Sequence, residues 1–439
     1  MTRLDVGLLV TGNDRGEILR DVSVFIEKSR IARIVPRAEA GDGAALDARS
    51  LVLIPGFVQT HVHLCQSLFR GMADDLELLD WLRLRIFPFE AAHTPGSMYS
   101  SAMLGAMELI RSGTTTILDM GSIHHEEEVI RAIGETGLRA FVGKAMMDLN
   151  DTFPALREST AESLRSTRAL AERWHNSFDG RIKYAVAPRF VLSCTDLLLG
   201  AAREMLDSFE GMLFHTHASE NKGEIEAVRR RCGMENIEFL HGLGVLSDRT
   251  CLAHCVHLSD HEIALLAQTR TSVSHCPSSN LKLGSGIANI PQLRAKGINV
   301  GLGADGAPCN NSLDMFREMR LASLIQKPLH GPTAMPAKSV FEMATRNGAK
   351  SLGLAGEIGS IEPGKKADMV LLSLTNAWDP LLPDDNVFSS IVYSATPENV
   401  DSVMIDGRWV YRSGEFPELD PGSVTSAARI ECRSLLARL

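Results

Sequence analysis

His61 and His63 stand one residue apart at the end of an apolar run, Pro55-Gly56-Phe57-Val58-Gln59-Thr60-His61-Val62-His63. In a β-strand, residues i and i+2 point to the same side, so two imidazoles placed there can grip one metal ion from a single face. An isolated H-x-H pair in a chain with 14 histidines says little. Three further strand-like runs, however, end in residues of the same kind. Phe214-His215-Thr216-His217 runs into Ala218-Ser219-Glu220, Cys251-Leu252-Ala253-His254 closes a second run, and Val300-Gly301-Leu302-Gly303-Ala304-Asp305 closes a third. Four strand ends thus offer histidines, Asp305 and Glu220, the donor set of a catalytic zinc or iron site.

Residues from four strand ends can meet only if the strands lie side by side. Apolar runs at 57–61, 114–118, 139–143, 183–187, 212–217, 250–254, 271–275 and 298–303 read as eight strands. Amphipathic stretches between them, such as 221–242 and 259–268, read as helical. This alternation predicts an α/β fold, a parallel sheet closed as a (β/α)8 TIM-like barrel. Active sites in that fold sit at the C-terminal strand ends, where every residue named above falls. The two ends of the chain differ: 5–10, 22–35, 368–373 and 401–411 alternate in short hairpin-like runs. They predict one small β-sandwich built from both termini, residues 1–55 and 363–439, with the catalytic barrel 56–362 inserted between them. Residues 424–439 read as a closing surface helix.

Composition excludes several classes. A chain of 439 residues with 44% hydrophobic and 23% charged residues is an ordinary globular protein. Its formal charge of −9 argues against a nucleic-acid surface. No stretch approaches the ~18 apolar residues of a membrane helix, and the N-terminus shows no secretory signal. The eight cysteines are scattered without a C-x-x-C pair, which predicts reduced thiols and a cytoplasmic location. Cys65, Cys255, Cys276 and Cys309 lie near the site residues and read as small apolar fillers. Gly359-Ser360-Ile361-Glu362-Pro363-Gly364-Lys365-Lys366 nearly spells a P-loop, but Lys replaces Ser or Thr and a strand follows where a helix is required. It reads as a tight turn.

The segments PGFVQTHVHLCQSLFRG, HTHASE, LAHC, SHCPSSNLKLGSG and GLGADGAPCNNSLDMF together resemble the amidohydrolase superfamily, in its purine and aminopyrimidine deaminase branch. The chain is most similar to 5′-deoxyadenosine and methylthioadenosine/S-adenosylhomocysteine deaminases. Two parts instead resemble guanine deaminase: Arg139–Lys144 with Met147–Pro154, and Pro188-Arg189-Phe190. The resemblance implies that His61, His63, His217 and Asp305 ligate one divalent ion, zinc first and iron second. Such an ion would lower the pKa of a bound water. It further implies that Glu220 is the proton shuttle and that His254, with Asp305, assists the attacking oxygen. His275 matches a less defined family position. Some members bridge two metals with a carboxylated lysine after the fourth strand; here Pro188-Arg189 ends that strand, and arginine forms no carbamate. One ion is therefore expected.

By the same resemblance Gln66, Glu90, Arg189 and Glu220 contact the substrate. Gln66 and Arg189 match residues that read the purine in guanine deaminases, and Glu90 matches a carboxylate that binds ribose hydroxyls. Lys144 is a weaker match, and Trp81 reads as core or lid packing. The expected activity is hydrolytic deamination of an adenosine-type nucleoside, with guanine and then an s-triazine as alternatives. A soluble homo-oligomer acting on a small molecule, without nucleic-acid or membrane partners, completes the expectation.

Overall fold

The computed structural model describes residues 1–374 and 386–439. Eight parallel strands close on themselves: Phe57–His63, Thr114–Met120, Arg139–Gly143, Ile182–Pro188, Leu213–Ala218, Thr250–His254, Ser272–His275 and Val300–Leu302. Closure comes from pairing of the fourth strand with the fifth, Leu213 against Ala185, and of the eighth with the first, Leu302 against Gln59. Every residue of the first two strands is buried. Strands covered on both faces carry continuous apolar runs, which is why these segments were legible as strands. The barrel is the expected one, with each strand within two residues of its predicted bounds.

Helices surround the barrel. Thr94 caps Pro95–Arg111, and reciprocal Ser259/Glu262 hydrogen bonds open Asp260–Thr269. The stretch 221–242 is two helices, not one. Lys222–Cys232 ends at Gly233, whose φ of 69° the other residues tolerate poorly, and Asn236–Gly242 follows. The closing helix is Pro421–Leu436. Gly359 and Gly364 both have positive φ in the turn that leads to strand Met369–Leu372, so the P-loop-like segment is a turn, as expected.

The chain termini build a separate seven-stranded sheet in the order Arg408–Tyr411, Val400–Ile405, Met369–Leu372, Leu46–Pro55, Thr2–Val10, Ile18–Glu27, Arg30–Pro36. Neighbours are antiparallel except Thr2–Val10 with Leu46–Pro55. Period-two alternation gives it two apolar faces. Met369 and Leu371 join its own core with Leu4 and Val6, whereas Val370 and Leu372 pack into the barrel's core. A register shift between Val6 and Leu8 swaps the parity, so Leu9 joins the first face and Leu8 and Val10 the second. Only glycine fits at the shift, because a Cβ on Gly7 would sit 2.0 Å from the Arg49 carbonyl oxygen. The part of the predicted C-terminal unit at 375–385 lies outside the described residues.

Candidate active site

Four side chains converge at the C-terminal ends of the first, fifth and eighth strands. The donor atoms of His61, His63, His217 and Asp305 all lie within 4.8 Å of one another. Hydrogen bonds at the far side of each ring fix its tautomer. His63 Nδ1 donates to the Met120 carbonyl at 2.7 Å and His217 Nδ1 to the Arg189 carbonyl at 2.7 Å. His215 Nδ1 donates to the Cys251 carbonyl at 2.8 Å, so its Nε2 accepts the Nδ1 proton of His61, also at 2.8 Å. Each of the three converging rings therefore turns a bare Nε2 lone pair inward.

Those lone pairs face one another and a carboxylate. His63 and His217 Nε2 are 3.2 Å apart, and Asp305 Oδ1 lies 3.3 Å from His61 Nε2 and 3.4 Å from His63 Nε2. Burial holds His61 down to about 4 and His63 to about 3, and it holds His217 well below the usual imidazole range. Four acceptors packed together without a proton repel unless a cation lies among them, and His61 Nε2 is buried with no hydrogen-bond partner among the described residues. Three neutral imidazoles and one carboxylate suit zinc or iron. The donor set fits a divalent ion.

Asp305 is placed by strain. Its φ is 63°, and Ser219, His254 and Cys255 at neighbouring strand ends also have positive φ. After Leu302 the eighth strand breaks at Gly303, where a Cβ would meet the His61 carbonyl oxygen at 2.6 Å, and pairing resumes at Asp305 against Val62. Ser279 Oγ donates to Asp305 Oδ2 at 2.6 Å, and the Gly306 N–H donates to Oδ1 at 2.7 Å. Burial disfavours this carboxylate's charge, but His61, His254 and His63 outweigh it and hold its pKa well below the usual range.

Glu220 and His254 complete the polar end. Glu220 Oε2 lies 3.5 Å from His254 Nε2, and Asp305 Oδ2 lies 3.9 Å from the same nitrogen. Asn280 Oδ1 accepts the Nδ1 proton of His254 at 2.9 Å, which turns Nε2 toward the two carboxylates. Burial pushes Glu220 up to about 7, against the pull of His254. Burial also weighs against the His254 cation, but the Glu220 and Asp305 charges prevail and raise its pKa. The pair can exchange and store a proton near neutral pH.

All of this opens into one cavity. Leu78, Trp81, Leu82, Phe190 and Leu283 form its apolar wall; His63, Arg189, His217, Glu220, Glu224, His254 and Asp305 form the rest. Such a pocket, mostly apolar with a few converging polar groups, suits a flat heterocycle. Trp81 lines it, and its buried Nε1 has no partner among the described residues. Arg189 reaches the wall from the end of the fourth strand. Behind it Glu90 accepts from both Arg189 terminal nitrogens, and Gln66 Nε2 donates to Glu90 Oε1 at 2.8 Å. Gln66 and Glu90 are thus buried behind Arg189. Lys144 is spent in a buried ion pair with Glu158, and His275 is buried outside the lining, both ring nitrogens without a partner among the described residues.

Sequence reasoning passed over His215, Ser279, Asn280 and Glu224. The first carried a visible signal: His215-Thr216-His217 repeats the H-x-H spacing of His61 and His63. Glu224 accepts the Glu220 N–H at 2.7 Å from inside the first turn of helix Lys222–Cys232. Nothing in its sequence position distinguishes it from any helix-opening glutamate. The thiols of Cys65, Cys255, Cys276 and Cys309 are buried and pushed well up by that burial, which makes them inert fillers.

Known proteins share this arrangement of chain. The model of the "Amidohydrolase family" matches residues 52–410. The 5′-deoxyadenosine deaminase of Methanothermobacter thermautotrophicus is 43% identical over 433 residues, covering 98% of both chains. The 5-methylthioadenosine/S-adenosylhomocysteine deaminase of Syntrophomonas wolfei is 38% identical over 90% of this chain and 89% of its own. Among solved structures, an adenosine deaminase from Xanthomonas campestris with bound zinc superimposes with a TM-score of 0.92 at 30% identity, covering 99% of this chain and 98% of that one. Barrel, terminal sheet and strand-end histidines therefore agree with whole-length sequence likeness, and the chain belongs to the amidohydrolase family.

Proposed function

We propose that the protein is a metal-dependent aminohydrolase that replaces the exocyclic ring amine of an adenosine-type nucleoside by oxygen and releases ammonia. The substrates are 5′-deoxyadenosine, methylthioadenosine and S-adenosylhomocysteine, the compounds named for its full-length relatives. One observation carries the reading: four proton-free acceptors converge beside Glu220 and His254 at the floor of an apolar-walled cavity.

In this reading His61, His63, His217 and Asp305 hold one divalent ion, zinc before iron. When bound, the ion supplies Lewis acidity to a water molecule in the cavity. A carboxylate oxygen of Glu220 takes a proton from the attacking water and passes it to the ring nitrogen beside the amine. His254 Nε2, held by Asn280, stabilises negative charge on the incoming oxygen, and Asp305 Oδ2 supports it. The second proton of that water, still on the oxygen now bonded to the ring carbon, passes to the amine, which leaves as ammonia as the C–N bond breaks. Arg189 offers N–H donors to acceptor atoms of the base. Glu90, with both oxygens taken, and Gln66 act on the substrate through Arg189.

A second reading, guanine as substrate, is favoured by Arg189, whose donors on the cavity wall suit a ring carbonyl. We also propose that the chain divides at 55/56 and 362/363, and that it works as a cytoplasmic homo-oligomer. No helix of the described residues is long and apolar enough to cross a membrane. The test of function is ammonia release from adenosine, 5′-deoxyadenosine, methylthioadenosine, S-adenosylhomocysteine, guanine and melamine by metal-loaded protein. Turnover of the nucleosides above the free base is expected; turnover of guanine alone would replace the first reading by the second.

A further inference from the structure

We propose that Glu318 is a positioning residue of the reaction: through Ser278 and Asn310 it locks the two segments that aim Asp305 and His254, helix Pro277–Lys282 with the loop after it and the short helix Ala307–Asn310. The residue lies outside the cavity, fully buried on helix Met315–Leu324. Its role as a positioner rests on the aminohydrolase reading above.

Both of its oxygens are occupied from two directions. The Ser278 hydroxyl donates to Oε1 and the Ser278 N–H to Oε2 at 3.3 Å, while Asn310 Nδ2 donates to Oε1 at 2.9 Å. The residues next to these partners touch the site. Ser279 Oγ donates to Asp305 Oδ2, and Asn280 Oδ1 holds the Nδ1 proton of His254. Asn310 Nδ2 also donates to the carbonyl of Ala304 at 2.7 Å, one residue before Asp305. One buried carboxylate therefore fixes Asp305 twice, its backbone through Asn310 and its side chain through Ser278 and Ser279.

The same loop serves Glu220. The Asn280 carbonyl accepts the Ser285 N–H at 2.8 Å, and Ser285 Oγ lies 3.4 Å from Glu220 Oε1. The short helix Pro277–Lys282 thus reaches groups on three other strands, and Glu318 anchors its first turn. Its last residue is held independently, Lys282 Nζ donating to the Pro308 carbonyl at 2.9 Å and pairing with Asp74. Burying a carboxylate is costly, and burial pushes Glu318 up to about 7 despite its hydrogen bonds. An apolar side chain would fill the same space at less cost, but it would leave Ser278 and Asn310 free to turn. Asp305 holds its left-handed backbone only while its surroundings over-determine it.

The experiment compares Glu318→Gln and Glu318→Ala holoenzymes with the parent, on whichever amine substrate the parent turns over. Ser279→Ala, Asn280→Ala and the double variants with Glu318→Gln complete the set. Glu318→Gln keeps one acceptor and should lower kcat about ten-fold, Glu318→Ala up to about 100-fold, with KM within about three-fold of the parent. The double variants should fall by less than the product of the single effects, because the residues act through one chain of contacts. If Glu318→Ala does not fold, Glu318→Gln and its doubles carry the test. A kcat for Glu318→Gln within two-fold of the parent would overturn the proposal, as would full multiplicativity with both Ser279→Ala and Asn280→Ala. Parent protein inactive on every nucleoside but active on guanine would refute the substrate reading and leave the Glu318 ratios to be judged on guanine.

Discussion

Glu90 and Arg189 form a closed, buried ion pair: Arg189 Nη1 donates to Glu90 Oε2 at 2.7 Å and Nη2 to Oε1 at 3.1 Å, with side-chain exposures of 0% and 3%. Burial pulls the guanidinium pKa down, and the Glu90 charge and hydrogen bonds more than restore it. A bidentate pair of this kind fixes the guanidinium plane. The carboxylate that the sequence suggested for ribose is therefore spent on holding Arg189.

That geometry sets the outcome of Glu90→Ala. Removing one partner of a buried pair leaves an uncompensated charge, typically costing about 3–5 kcal/mol of stability. Thermal unfolding should show the loss, and kcat/KM should fall for nucleosides and free bases alike. A fall confined to nucleosides would mean that Glu90 reaches the ribose directly.

Glu220→Gln should retain the fold and the metal while kcat falls by at least about 100-fold. The amide keeps the size of the side chain but cannot accept the proton from water. Turnover within a few-fold of the parent, at equal metal content, would remove Glu220 from the proton path.

The pH dependence follows from the same residue. Burial pushes Glu220 up to about 7, and only its ionised form accepts a proton. Turnover should therefore be full above that value and should fall as pH drops through it, giving an acid limb in the kcat profile. A flat profile from about pH 8 down to about pH 5.5 would contradict this assignment.

His215 makes no approach to the metal position, yet it sets the tautomer of His61. Its replacement by alanine should weaken metal binding about 10–100-fold, the usual effect of losing a partner behind a ligand. Competition with a chelator measures it directly. Unchanged affinity would show that His61 keeps its orientation without the 2.8 Å hydrogen bond.

The barrel was legible because its strands are buried all round and end in chemically distinctive residues. Strand spacing placed His61, His63, His217, His254, Glu220 and Asp305 at one end of the barrel, and the family resemblance singled out His61, His63, His217 and Asp305 as the ligand set. Their supports were not legible in this way. Ser279 and Asn280 lie on a helix of six residues whose contacts run to Asp305 after the eighth strand and to His254 at the end of the sixth, and no local pattern announces such reach. The Glu90–Arg189 pair joins residues 99 positions apart, so the sequence suggested a substrate contact for each without showing that the two bind one another. The 221–242 stretch shows a smaller limit: Gly233 ended a helix inside a pattern that looked continuous.

Hydrolytic, metal-dependent exchange of a purine amine for a water oxygen is tested most directly by conversion of 5′-deoxyadenosine in 18O-labelled water, by metal-loaded and metal-stripped protein. Mass spectrometry of the product should show one labelled oxygen on the base, equimolar ammonia, and no conversion by stripped protein until metal is restored. Unlabelled product, or equal conversion by protein shown to hold no metal, would contradict it.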